Sequence, residues 1–273
     1  MLEIVRPDVS ATKARVVIFD FDGTLSLIRS GWMDVMVPMC IEQLSGLGTG
    51  ESEKTLKPVV EDFVWRLTGK ETIYQMMALA EAVGDRGGQP LKPAEYKKMY
   101  LDRLWTRIES RISSLRDGSA SPESYLVPGS RELLENLRER GLTLYLASGT
   151  DDANVKDEAA LLDVTKYFDD RVYGALDDLN VFSKAILVRR LVADGGHQGD
   201  ELLVFGDGYV EIEEVKKVGG TAVGVASAEP ECRATDEWKR KRLISAGADI
   251  IVPNYEDLSD LAAVLFAGTG VTA

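Results

Sequence analysis

The sequence predicts an α/β fold, a parallel sheet interrupted early by a long helical insert, and three observations carry that prediction. Short apolar runs stopped by Asp, Ser, Asn or Gly recur along the chain, and segments with helical apolar spacing alternate with them. Residues 27–127, by contrast, show helical patterns and no convincing strand. The runs are residues 15–20 (closing on "VVIFD"), Leu142–Ser148 ("LTLYLAS"), 202–206 ("LLVFG"), Thr221–Ser227 ("TAVGVAS") and Ala248–Asn254 ("ADIIVPN"). Each is too short for a helix and suits a buried parallel strand, joined to the next by a right-handed crossover.

Within the insert, "ETIYQMMALAEAVG" places Ile73, Met76, Met77, Ala80 and Val83 at helical spacing, with "TGKE" before it as a capping box. "AEYKKMYLDRLWTRIESRI" repeats the pattern through Leu101, Leu104, Trp105, Ile108 and Ile112. "GLGTGE" follows no strand and reads as a loop rather than a nucleotide fingerprint. "SPESYLVPG" is a Pro-containing, hinge-like return, so residues 1–26 and 128–273 form one domain and 27–127 another. "PGSRELLENLRERG" then offers Ser130 as N-cap, an apolar stripe at Leu133, Leu134 and Leu137, and Gly141 as terminator.

Composition narrows the chemistry. With 273 residues, 45% of them hydrophobic, the chain has enough apolar material for a core and a second lobe. No run approaches the ~20 apolar residues of a membrane span, and the N-terminus lacks a secretory pattern, so no membrane partner and a cytoplasmic location are expected. A formal charge of −13 argues against a nucleic-acid partner. Cys40 and Cys232 stand far apart without a CxxC neighbourhood and suggest neither a disulfide framework nor a zinc site. The single histidine, His197, sits in the Gly-rich "DGGHQGD" and leaves the histidine-dependent nucleophile chemistries without support. Carboxylates are the expected catalytic groups.

The stretch "VVIFDFDGTLS" supplies them. If the chain stays extended past the strand, Asp20 and Asp22 emerge on one side and Phe21 on the other. Two carboxylates sharing a site repel, and a divalent cation such as Mg²⁺ relieves the conflict with hard oxygen ligands. Their position outside the carboxyl end of a strand is where open α/β sheets bind ligands. Gly23 and Thr24 turn the chain away and offer backbone N–H groups and a hydroxyl to an anion. Ser148, Gly149 and Thr150 follow a second strand with a hydroxyl and backbone donors. Lys184, after the N-cap candidate Ser183, lies on the same helix face as Leu187 and Val188, where it needs an anion nearby or must snorkel outward. Asp207 closes the "LLVFG" strand, and Glu211, four residues on, is reachable from the same side.

"DFDGT", a serine after the second strand, a lysine opening a later helix and "GDGYVE" occur in the order and spacing of the haloacid dehalogenase superfamily of phosphohydrolases, which the chain resembles over residues 14–26 and 128–265. The insert stands where that family places its helical C1 cap. The resemblance implies a Rossmann-like, doubly wound parallel-sheet core with an inserted all-helical cap domain. It implies Asp20 as nucleophile, and Asp22 as general acid and then base. Mg²⁺ would be held by Asp20, the Asp22 main-chain carbonyl and Asp207, with Glu211, where Asp is commoner, acting through water. Lys184, Ser148, Thr24 and the backbone at Phe21 and Gly149 would surround the phosphoryl oxygens.

The expected function is therefore a magnesium-dependent phosphatase of a small phosphorylated metabolite, a sugar phosphate or similar phosphomonoester. Alternatives are a phosphomutase of the same superfamily and a non-catalytic domain binding a phospholigand or a protein. Arg29, Trp32, Arg66, Lys70 and Tyr74 are the insert's candidates for substrate contact, each equally readable as a solvated charge or a packed aromatic.

Overall fold

The structure, a computed structural model, describes residues 2–176 and 182–266. Its strands are β1 (Glu3–Ile4), β2 (Val16–Phe19), β3 (Thr143–Asp151), β4 (Val172–Ala175), β5 (Leu202–Gly206), β6 (Thr221–Val225) and β7 (Ile250–Val252). They form a sheet in the order β1-β7-β6-β5-β2-β3-β4, parallel throughout except for β1. The helices are α1 (Met33–Ser45), α2 (Glu53–Leu67), α3 (Thr72–Gly84), α4 (Pro93–Arg116), α5 (Ser130–Glu139), α6 (Asp152–Leu161), α7 (Lys184–Ala193), α8 (Tyr209–Lys217), α9 (Glu237–Ala246) and α10 (Leu258–Phe266).

Strand alternation builds the two faces. Val17 and Phe19 of β2 point into one apolar cluster, with Leu133, Leu137, Val155 and Leu261 from α5, α6 and α10. Val16 and Ile18 point into the other, with Leu187, Ile212, Val215 and Leu243 from α7, α8 and α9. Because both faces are covered, the strands are continuously apolar, which made them legible. The chain winds from β2 outward through β3 and β4, then returns to β5 and winds the other way through β6 and β7. The reversal lies between β2 and β5, and the crevice beyond their carboxyl ends is the position favoured for a ligand.

Helices α1 to α4 pack on one another as an insert between β2 and α5. The two connecting strands of chain are paired: Leu27 N–H donates to Tyr125 O (2.8 Å) and Val127 N–H to Leu25 O (2.9 Å). Arg111 of α4 clasps the first connection, its Nη1 donating to the carbonyls of Leu27, Ile28 and Ser30. Among the described residues no helix is long and apolar enough to cross a membrane.

Three local expectations need correction. Ser130 is the first helical residue and not the N-cap, a place taken by Gly129 at φ 80°. A Cβ there would meet the Tyr255 carbonyl carbon at 2.5 Å, so glycine is required and the Ser130 hydroxyl is left buried without a partner. "TGKE" forms no capping box: Thr68 Oγ1 donates back to Val64 O in α2, and the Glu71 side chain makes no cap bond to α3. The strand ending at Ser148 continues to Asp151.

Candidate active site

One cavity of about 90 Å³ opens at the reversal point, and residues from all four remote stretches line it: Asp20 and Asp22, Ser148 and Gly149, Lys184, and Asp207. The juxtaposition follows from sheet order, since β3, β2 and β5 are adjacent and each delivers its polar residues at its carboxyl end.

Asp20 leaves β2 almost fully buried. Its Oδ1 receives Lys184 Nζ at 2.8 Å and the Phe21 N–H at 2.8 Å. Burial pushes its carboxyl well above the usual range, with Glu211 and Asp207 adding to the effect and Lys184 opposing it. Lys184 opens α7, whose N-cap Ser183 accepts the Ile186 N–H. Its ammonium also reaches Glu211 Oε2 at 2.9 Å. Burial disfavours that ammonium, but the two carboxylates more than offset it and its pKa is raised. The lysine on the buried helix face thus has two anions of the chain itself as partners. Glu211 is held in turn by the Gly208 N–H on its Oε1 (2.8 Å).

Asp22 faces the other wall. Its Oδ2 accepts from Thr150 Oγ1 (2.7 Å) and Ser148 Oγ (3.3 Å), while its buried Oδ1 has no hydrogen-bond partner and lies 3.9 Å from Arg29 Nε. Burial raises this carboxyl as well, against the pull of Arg29 and the two hydroxyls. The aim of Ser148 and Thr150 traces to an irregularity in β3, where the register against β4 shifts between Ala147 and Asp151. Such a bulge redirects side chains beside a site.

The turn after Asp22 differs from its expected role. The Gly23 N–H is taken by Ser26 O, the Thr24 N–H by Phe21 O, and Thr24 Oγ1 accepts the Asp207 N–H at 3.0 Å. Thr24 and Phe21 are fully buried and stand behind the cavity wall: Thr24 braces Asp207 and Phe21 packs in the core. Of the insert's candidates, Trp32 and Lys70 line the cavity and Arg66 lies outside with Asp62. Tyr74 sits beneath the Lys70 ammonium, 5.3 Å from its ring centre, rather than on the wall. Arg29 lines it too, but its guanidinium is committed to Glu158 of α6 (Nη2 to Oε1 2.6 Å). Both partners are buried, so Arg29→Met should strand the Glu158 carboxylate at a cost of about 3 kcal/mol in urea unfolding. Arg29→Met with Glu158→Met should recover most of that loss; equal instability of single and double variants would deny the pairing.

Sequence reasoning missed Lys239, Glu229 and Glu158, none of which belongs to a motif. Lys239 of α9 places Nζ 2.9 Å from Asp207 Oδ2 and 2.6 Å from Glu229 Oε1. Despite burial, those acids raise its pKa.

The donor set fits a hard divalent cation. Oxygens of Asp20, Asp207 and Glu211 lie within 4.8 Å of one another. Gly23, at φ 73°, keeps the cradle open: a Cβ would come within 2.3 Å of Asp207 Oδ2. Asp22 Oδ1 at this wall has no hydrogen-bond partner, with Arg29 Nε 3.9 Å away.

The fold is similar to that of three solved structures. One is a predicted phosphoglycolate phosphatase from Haemophilus somnus 129pt (TM-score 0.59, 15% identity, covering 92% of this chain and 99% of that one). Another is a conserved haloacid dehalogenase-like protein of unknown function from Agrobacterium tumefaciens (0.57, 19%, 92% and 98%). A third is a predicted phosphatase from Clostridium acetobutylicum (0.56, 16%, 92% and 99%). No curated protein sequence matches the chain. The haloacid dehalogenase-like hydrolase model matches residues 14–219, most of the chain, and with the acid–lysine cluster seated at the sheet's reversal the protein belongs to that hydrolase family.

Proposed function

We propose that the protein is a magnesium-dependent phosphatase, a phosphoric monoester hydrolase acting on a small phosphorylated metabolite such as a sugar phosphate, with residues 27–127 as its cap. The observation that carries this reading is the meeting of Asp20, Asp22, Ser148, Gly149, Lys184 and Asp207 around one cavity.

Asp20 is the nucleophile: a carboxylate oxygen bonds to phosphorus as the ester P–O bond breaks, and Asp22 gives its proton to the leaving oxygen. Water then attacks phosphorus, its proton passes to Asp22, and the Asp20–phosphate bond breaks to release inorganic phosphate. A carboxyl that burial holds above its ordinary pKa suits the donor role of Asp22. Lys184 counters the burial that would otherwise keep Asp20 protonated, and with Ser148 and the Gly149 backbone it meets the phosphoryl oxygens. Asp20, the Asp22 main-chain carbonyl and Asp207 would hold Mg²⁺, with Glu211 through water; the ion supplies charge neutralisation at the phosphoryl group. Thr24 acts by bracing Asp207.

The cap side of the cavity mixes Trp32 and Met36 with Thr72, Gln75, Tyr100 and Lys70. That lining suits a compact polar leaving group with one apolar edge. A panel of phosphomonoesters should release inorganic phosphate with Mg²⁺, fall to background with EDTA and recover on readdition. Absence of phosphate release across the panel contradicts the reading, and an isomerised ester without free phosphate replaces it with a mutase.

A further inference from the structure

The cap wall of the cavity is made in part by backbone. Thr68, Gly69 and Lys70, between α2 and α3, line it, and they press on the core at two glycines. A Cβ on Gly149 would meet Lys70 O at 2.9 Å, and one on Gly208 would meet Gly69 Cα at 2.8 Å. At these two points neither glycine has a side chain with which to grip the loop. Something else must hold the loop.

That grip comes from α9 of the core. Arg242 Nη2 donates to Arg66 O at 2.9 Å and to Thr68 O at 3.1 Å. Both carbonyls belong to the C-terminal end of α2, where helix acceptors lack internal partners. The guanidinium is itself fixed, 4.5 Å from the Tyr209 ring centre and 5.2 Å from that of Trp238. Trp238 also meets Trp65 of α2, with ring centres 5.1 Å apart. The same helix carries Lys239, bonded to Asp207, so α9 refers the loop's position to the acid cluster.

We propose that Arg242, supported by Trp238, is a positioning residue that fixes the loop Thr68–Lys70 as a rigid wall of the cavity and so limits the leaving groups it admits. The limit on leaving groups rests on the phosphatase reading; the positioning does not. Both bonds reach main-chain carbonyls, which explains why no motif announces them.

The first test is hydrogen–deuterium exchange of amides 66–74 in the full chain without added ligand. Arg242→Gln removes two hydrogen bonds to the loop, so local opening should rise about tenfold or more. Trp65→Leu should raise it from the cap side, and Arg242→Lys, which keeps a donor and a cation over the rings, should restore part of the protection. Amides of β5 report that each variant is folded and should not change. Unaltered exchange at 66–74 in both Arg242→Gln and Trp65→Leu overturns the proposal.

The second test is kinetic, with p-nitrophenyl phosphate as bulky ester and glycerol phosphate as compact one. In Arg242→Gln the ratio of their kcat/KM values should move about tenfold toward the bulky ester. A ratio unchanged while both rates fall together marks a merely structural role and overturns the wall. If the wild type hydrolyses no ester of the whole panel, the phosphatase reading fails, and exchange still decides whether Arg242 holds the loop.

Discussion

Asp20→Asn should lower phosphate release by about 10⁴-fold or more while leaving the protein folded. Asparagine keeps the shape of the side chain and its oxygen for the Phe21 N–H, but its amide cannot form the covalent bond to phosphorus. Stability should change little, because the wild-type carboxylate is buried and its ionisation is already opposed by desolvation and by Glu211 and Asp207. Lys184 retains Glu211 at 2.9 Å in the variant. Phosphate assay and circular dichroism on the same sample check both halves. Residual turnover within a hundredfold of wild type would remove Asp20 from the nucleophile's role.

Lys184→Met produces the second large effect, in activity and in stability together. The methionine fills much of the same space but leaves Asp20 and Glu211 facing each other without a cation. Removing one member of a buried ionic cluster costs about 3–5 kcal/mol, far more than the cluster's net worth, because uncompensated charge stays behind. The remaining carboxylates respond by holding protons, and a protonated Asp20 is no nucleophile. Urea unfolding should show the loss, and phosphate release should fall at every substrate concentration. An unfolding midpoint equal to wild type would mean that the ammonium does not carry the charge balance assigned to it.

What the sequence disclosed follows the physics of each element. Five strands were readable because both sheet faces are covered, making β2, β3, β5, β6 and β7 apolar runs. β1 and β4 were missed: β1 has two residues, and β4, "VYGA", is an edge strand whose Tyr173 and Gly174 interrupt any run. The acidic pair, the serine and Asp207 were legible because strand ends carry them to one rim, and the lysine because it opens α7 on the face of Leu187 and Val188.

Their partners were another matter. Lys184 could be seen to need an anion, but only tertiary structure makes Asp20 and Glu211 the ones it meets. Thr24 offered a hydroxyl, and nothing local reveals that the Asp207 amide, far along the chain, claims it. Lys239, Arg242 and Glu158 act across helices that the sequence separates, the first on carboxylates, the second on main-chain carbonyls and the third on a guanidinium. Arg29, offered as a candidate for substrate contact, lines the cavity, and its occupation by Glu158 depends on how α6 packs.

The most direct measurement is borohydride trapping. Enzyme quenched with borohydride during turnover of a phosphomonoester should carry homoserine in place of aspartate at position 20, read by mass spectrometry of the peptide spanning "VVIFDFDGTLS". Modification at another residue, or an unmodified peptide under steady turnover, would contradict the assignment of Asp20 as the atom-bonding partner of phosphorus.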